Sequence, residues 1–94
     1  MQRITLADLN AVIARINRET NSPAQPYALN ADGKHTAQPG CYHLSRAYGG
    51  YSLHRMSNES GGVRDVFGHG HMPARELYSC MHAFLAGMNA KEAA

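Results

Sequence analysis

Cysteine and histidine side chains that recur with one residue between them are the most chemically capable feature of the chain. The three such pairs are Cys41/His43, His69/His71 and Cys80/His82. In a strand, residues two apart project to the same side, so Cys41 and His43 could bind one zinc ion, and His54 falls on the same predicted face. On a helix, residues two apart diverge, and the sequence has neither a C-x-x-C nor an H-E-x-x-H pattern. We therefore interpret these residues as scattered side chains that hold no cofactor, and keep zinc at Cys41, His43 and His54 as the alternative.

Tyrosines and arginines alternate along the same part of the chain and suggest a different chemistry. The residues that share one face of a predicted hairpin are Tyr42, Arg46, Tyr48, Tyr51 and Arg55. Aromatic rings that stack on bases, beside guanidinium groups that meet phosphates, are typical of a sheet that binds single-stranded nucleic acid. The same face also carries Leu44 and Leu53, so helices packed on it would explain the pattern equally well. Nucleic-acid binding is therefore an alternative, and a net charge of +2 gives it little support.

The segment Gly68–Met72, which precedes the last predicted helix, is the most open candidate site. Backbone N–H groups at the start of a helix favour anions. His69 and His71 lie in this segment, and Arg75 follows in the first turn of the helix. Glycines in the segment would let a ligand approach the backbone closely. The segment could therefore bind a phosphate or the carboxylate of a partner, or it is a flexible connection with incidental histidines.

Catalysis has less support in the residue pattern. Cys41 or Cys80 could serve as a nucleophile beside a histidine, and Asp65 could orient that histidine. No nucleophile motif and no pair of carboxylates accompanies them, and a small sheet offers little room for a closed pocket. We therefore expect a protein that is not an enzyme, and keep a zinc-stabilised or cysteine-dependent enzyme as a further alternative.

Two helices frame the residues described above. Thr5 is suited to cap a helix over Leu6–Glu19, and Asp8 follows it at capping-box spacing. Apolar residues then repeat at helical spacing, which predicts one buried stripe, Leu9, Val12, Ile13 and Ile16. A second helix is predicted over 73–89, because a proline stands at its first position and a wide apolar stripe follows.

The strands are predicted between these helices. Gly49-Gly50 separates two alternating runs, which indicates a two-residue hairpin turn, and a third short strand is predicted over Gly62–Phe67. The sequence thus predicts a single small α+β domain over 1–94. Its parts are an N-terminal helix in 1–20, a proline-interrupted loop over 21–40, a three-stranded antiparallel β-meander over 41–67 and a C-terminal helix over 73–89. Both helices are expected on one face of the sheet.

Composition limits the classes of protein to consider. The chain has 94 residues, of which 44% are hydrophobic, and this is typical of one small globular domain. No segment has the pattern of a signal peptide or a membrane span, so we expect a cytoplasmic protein without a membrane partner. Two cysteines in such a chain favour free thiols. A three-stranded sheet leaves edges and a second face to cover, which favours a homodimer.

The stretch over 42–87 resembles a family of small bacteriophage and prophage proteins. The matching parts are YHL at 42–44, AYGGYSLHR at 47–55, NESGGVRDV at 58–66 and PARELY at 73–78. The opening LADLNAVIARINRET is similar to the start of that family, whereas the loop over 69–71 and both cysteines fall outside the shared pattern. The resemblance implies a phage-encoded accessory protein that acts in the cytoplasm of the host cell by binding, with a host protein as the expected partner.

Overall fold

The computed structural model describes residues 3–29 and 31–93, which form an α+β fold. In chain order the elements are α1 (Leu6–Glu19), β1 (Tyr27–Leu29), β2 (His35–Ala37), β3 (Tyr42–Ala47), β4 (Gly50–Met56), β5 (Val63–Asp65) and α2 (Ala74–Ala93). β1 and β2 pair in a small antiparallel sheet, and the other three strands form an antiparallel sheet in the order β3-β4-β5. The predicted α+β class, with a helix at each end of a meander, is confirmed.

Helix α1 begins and packs as its sequence predicts. Thr5 and Asp8 form a complete capping box, in which the Thr5 backbone N–H donates to the Asp8 carboxylate at 2.8 Å and the Asp8 N–H donates to the Thr5 hydroxyl at 3.2 Å. The four residues of the apolar stripe are all buried. A short amphipathic helix gains most of its stability from such packing, because its isolated form is marginal in water.

The turn between β3 and β4 differs from the prediction by one residue. Ala47 pairs with Gly50, so the turn residues are Tyr48 and Gly49, with φ of 54° and 75°. Two positive φ angles fit the hairpin turn whose twist matches the strands. Leu44 therefore lies opposite Leu53 and Arg46 opposite Tyr51, whereas a turn at Gly49-Gly50, with Tyr48 facing Tyr51, would pair Leu44 with Arg55 and Arg46 with Leu53. The shift moves the partner of each strand residue by two positions, so the predicted division into two faces is kept for the strand residues. Tyr48 is the exception, because it lies in the turn and packs against His71.

The predicted loop over 21–40 contains the hairpin of β1 and β2. Each strand has only three residues, and the first is exposed along its whole length. Ala37 at the end of β2 is buried with Cys41 and Met56 in a small second core. This hairpin thus covers one end of the main sheet. The expectation of a plain loop was wrong here because three residues are too few to show a strand periodicity.

Both helices pack on the same face of the main sheet, as predicted. The main core joins residues of α1 and α2 to the sheet residues Tyr42 and Leu53 and to Met72, which bridges to Tyr51. The opposite face carries His43, Ser45, Ser52, His54 and Asp65, together with His71 from the segment beside β4, and is called the histidine face below. Within the described residues, no helix is long and apolar enough to cross a membrane.

Candidate functional site

The outer edge of β3 is one of the two edges of the larger sheet, and β5 forms the other. In an antiparallel pair, successive residues point their N–H and C=O groups alternately toward the partner strand and away from it. The pairing of β3 with β4 therefore directs the backbone groups of Tyr42, Leu44 and Arg46 outward. Unpaired groups of this kind form a template for another strand.

The side chain of Asn17 occupies the first of these outward positions. Its Nδ2 donates to the Tyr42 carbonyl at 2.9 Å, and its Oδ1 accepts from the Tyr42 N–H at 2.8 Å. Asn17 is 4% exposed, so these bonds are shielded from water. The amide thus imitates a neighbouring strand for one residue. Among the described residues, the N–H of Leu44 and both backbone groups of Arg46 have no such partner.

A groove runs beside this edge. Its volume is about 370 Å³. The lining residues come from α1, from the segment before β1 and from β3, and are Asn10, Ile13, Ala14, Asn17, Ala24, Gln25, Pro26, Tyr42, His43 and Leu44. The groove therefore places apolar and amide side chains beside the first half of the β3 edge.

Three imidazoles form a row on the histidine face. His43 and His54 are directly opposite each other on β3 and β4, with ring centroids 5.9 Å apart, and the His54 and His71 centroids are 6.0 Å apart. Nε2 of His71 is 3.0 Å from the Ser45 hydroxyl. The ring of Tyr48, which is 97% exposed, packs at 5.9 Å against His71. The face is thus polar, and proton uptake by neighbouring rings would place like charges side by side.

His43 is the most confined of these rings. Its Nε2 is buried and has no hydrogen-bond partner in the part of the chain that the structure describes. Burial lowers the pKa of His43, and the nearby His54 lowers it further, whereas a hydrogen bond to the Leu44 backbone opposes both effects. His43 therefore remains neutral to lower pH than a histidine in water.

Asp65 organises the loop that was predicted to bind an anion. Its carboxylate accepts from the N–H of Gly68 at 3.1 Å and from the N–H of Gly70 at 2.9 Å. Burial alone would raise the pKa of Asp65, but bonds from Gly70 and Gly68, with contributions from Ser52 and Phe67, lower it overall. The Ser52 hydroxyl is buried and makes no well-formed hydrogen bond among the described residues, although it lies beside this carboxylate.

An external anion therefore finds the two loop N–H groups already occupied. A carboxylate of the chain itself fills this position in the loop. The N–H groups at the start of α2 are a separate set, so an anion site in Gly68–Met72 stays a prediction. His69 is exposed, and His71 is turned toward Ser45. Arg75, at the start of α2, is exposed and makes contacts of its own.

The zinc alternative is not supported by the arrangement of its three candidates. Cys41 is fully buried, and its Sγ faces the Asn17 amide at 3.9 Å and the small core of Ala37 and Met56. Burial raises the pKa of the Cys41 thiol, while the Asn17 amide lowers it in part. Across 3–29 and 31–89, where side chains are described, no group of three or more histidine, cysteine or acidic side chains is arranged to hold a metal ion.

The tyrosine and arginine residues do not form one accessible platform. Tyr42 is buried, with its ring centroid 6.0 Å from that of Phe84, and the Arg55 guanidinium carbon lies 4.9 Å from the Tyr42 ring centroid. Tyr51 is half-buried against the core, with Arg46 at 5.8 Å from its ring. Of the three tyrosines only Tyr48 presents its ring fully to solvent. The pattern in the sequence therefore reflects core packing for Tyr42 and Tyr51.

The Ser45–His71 pair has the separation of a nucleophile and its base. Acyl transfer also requires donors for a developing oxyanion, and the nearby N–H groups of Gly68 and Gly70 donate to Asp65 instead. This pair was not predicted from the sequence, and neither was Asn17. A signal existed for Asn17, because this polar residue occupies the next position of the apolar stripe, four residues after Ile13.

Comparison of the chain with family models, with curated proteins and with solved structures gives no match. The resemblance to bacteriophage proteins therefore stays a prediction, and the geometry described above is the basis for a function.

Proposed function

We propose that this chain is a small phage-encoded accessory protein that binds a host protein by adding an extended segment of that protein to the outer edge of β3. The observation that carries the proposal is the open N–H of Leu44 and the open N–H and C=O of Arg46, next to a groove of about 370 Å³. Strand addition obtains affinity from main-chain hydrogen bonds and specificity from pockets that receive alternate side chains.

The position of Asn17 supports this mode of binding because its side chain satisfies only part of the β3 edge. Exposed strand edges are normally blunted by short length, charge, proline or a covering element. Here α1 satisfies the edge at Tyr42 with a buried amide, and the following outward residues are left open. The Asn17 amide marks one end of the open segment, and the Tyr48-Gly49 turn marks the other.

The homodimer is proposed as the same mode with a second copy as the partner. Two β3 strands that run antiparallel can exchange hydrogen bonds when Leu44 of each copy lies opposite Arg46 of the other. Ser45 then lies on the two-fold axis, and the arrangement is isologous and closed. A second copy and a host segment would compete for the same backbone groups of β3. Dimer formation would therefore reduce the amount of monomer that can bind the host segment.

Substitution of Arg46 tests the proposal. Arg46→Pro removes the outward N–H without removing a bond to β4, and proline is tolerated at such edge positions. Arg46→Ala is the matched control, because it removes the same side chain and keeps the N–H. Thermal unfolding monitored by circular dichroism establishes that both variants are folded.

The readouts are molar mass by light scattering over a range of concentrations, and capture of proteins from bacterial lysate. We expect Arg46→Pro to lose self-association and capture, and Arg46→Ala to retain both. Equal behaviour of the two folded variants would contradict the proposal. A wild-type chain that remains monomeric and captures nothing beyond background would contradict it as well.

A further inference from the structure

A second pocket lies at the opposite end of β4 from the hairpin turn. Its volume is about 320 Å³, and its lining residues are Gly40, Arg55, Met56, Ser57 and Arg64. Arg55 and Arg64 are directly opposite each other on β4 and β5, so both side chains project from the same face of the sheet. The pocket is therefore lined by two arginines and one serine.

The pairing of two arginines is unfavourable without a counter-charge. Like charges directly opposite each other on a sheet destabilise it. The ion pair between Arg15 and Glu19 lies on α1, and neither residue lines this pocket. Asp65, the acidic neighbour of Arg64 in the chain, projects to the histidine face and is bonded to the loop N–H groups there. Within the described residues, no carboxylate forms an ion pair with either arginine of the pocket.

Arg55 is held in place before any ligand arrives. Its Nε donates to the Gly40 carbonyl at 3.2 Å, and its guanidinium carbon lies 4.9 Å from the Tyr42 ring centroid. Tyr42 is itself buried, so it gives the guanidinium a fixed support. Neither contact is a hydrogen bond from a terminal nitrogen of the guanidinium, so these nitrogens can donate to a ligand. A pre-organised guanidinium loses less side-chain entropy when it binds.

We propose that this pocket binds a phosphate group. A phosphate carries up to two negative charges and several acceptor oxygens, which match two guanidinium forks and the Ser57 hydroxyl. The volume corresponds to the small end of ligand pockets, so the phosphate and a short attached group are the portion enclosed. The phosphate can belong to a small phosphorylated compound or to a nucleic-acid backbone. The site is separate from the outer edge of β3 and does not depend on the strand-addition proposal.

The test is titration of the wild-type protein with inorganic pyrophosphate at low salt, followed by amide NMR. We expect binding that weakens as salt is added, with shifts centred on Gly40, Ser57 and Arg64. Arg64→Gln removes one fork from an exposed position and should weaken binding about tenfold or more. Arg46→Gln is the matched control, since it removes an exposed arginine outside the pocket and should leave the affinity unchanged.

Two further arms identify the source of the phosphate and its selectivity. A ten-nucleotide oligothymidylate that binds more tightly than pyrophosphate, and that also weakens in Arg64→Gln, would assign the site to a nucleic-acid backbone. Weaker binding of the oligonucleotide would assign it to a small phosphorylated compound. No pyrophosphate binding, equal loss in both arginine variants, or acetate binding as tight as pyrophosphate would overturn the proposal.

Discussion

At the scale of single residues, two polar side chains provide hydrogen bonds to backbone groups next to the larger sheet. Asn17 satisfies the backbone of Tyr42 from a buried position on α1, and Asp65 satisfies the loop that follows β5. Neither role is visible in a motif, because both are contacts between side chain and backbone. Buried backbone groups require such partners, so the contact of Asn17 with buried Tyr42 is expected to matter for stability. Gly68 and Gly70 are exposed, so Asp65 is expected to order their loop.

Replacing Asn17 with alanine should destabilise the fold. The change leaves the N–H and C=O of Tyr42 without their partners in a buried position, and we expect the free energy of unfolding to decrease by about 2 kcal/mol. Asn10→Ala is the control, because Asn10 lies on the same helix with an exposed side chain and should change stability by less than about 0.5 kcal/mol. Urea unfolding monitored by circular dichroism measures both values. Equal stability of the two variants would show that the Asn17 amide is not needed.

Stability should also depend on pH through His43. Unfolding restores the ordinary histidine pKa of 6.5, whereas the folded state lowers it. The unfolded state therefore binds the proton more readily, and the free energy of unfolding falls as pH is lowered below about 6.5. His43→Gln should reduce this slope, and His35→Gln, at an exposed position on β2, should not. An unchanged slope in His43→Gln would contradict the assignment.

At the scale of elements, the segment between β5 and α2 depends on one carboxylate. Gly68 and Gly70 both have φ of 70°, and both donate to Asp65. The segment then returns to β4, where Tyr51 and Met72 exchange backbone hydrogen bonds at 2.8 Å. Asp65 thus shapes the loop that brings His71 to Ser45.

Removing the Asp65 carboxylate should loosen this loop. We expect amide hydrogen exchange at Gly68 and Gly70 to become faster by on the order of tenfold in Asp65→Ala, because bonds to a charged acceptor are lost. Glu59→Ala removes an exposed carboxylate from the preceding turn and should leave the exchange unchanged. Because the folded state lowers the pKa of Asp65, its stabilising effect should disappear as pH falls below about 3.8. Unchanged exchange in Asp65→Ala would contradict the role of the carboxylate.

The elements differ in how well their sequence predicts them. The capping box and the apolar stripe of α1 are local patterns, and both were correct. The hairpin turn depends on a tertiary contact, since a side chain at Gly50 would stand 3.1 Å from the Met72 backbone. Gly50 is therefore needed for close approach, and Tyr48 takes a positive φ in the turn, which the preferences of a tyrosine do not indicate.

At the scale of the whole molecule, α+β architecture could be predicted, whereas the site could not. The division of strand residues into two faces survives the shift of the turn, so the covered face was correctly expected under both helices. The role proposed for β3 depends on its place at the edge of the sheet and on the hydrogen bonds between the Asn17 side chain and the Tyr42 backbone. Both depend on contacts between residues far apart in the sequence, which the local hydrophobic pattern does not predict.

Among the described residues, the larger sheet thus has one face covered by helices, one polar face and, along β3, an edge with open backbone groups. The central claim is that the open edge of β3 is where this protein meets its partner. Self-association and host binding would then compete for the same backbone groups, which links the oligomeric state to activity.

Amide hydrogen exchange at Leu44 and Arg46 tests this claim most directly. Both amides should exchange rapidly in dilute protein, because their N–H groups point outward from the sheet. Raising the protein concentration, or adding a captured partner, should slow their exchange while His43 and Ser45, which bond to β4, remain slow throughout. Protection that appears elsewhere on assembly, with Leu44 and Arg46 still exchanging rapidly, would contradict the account.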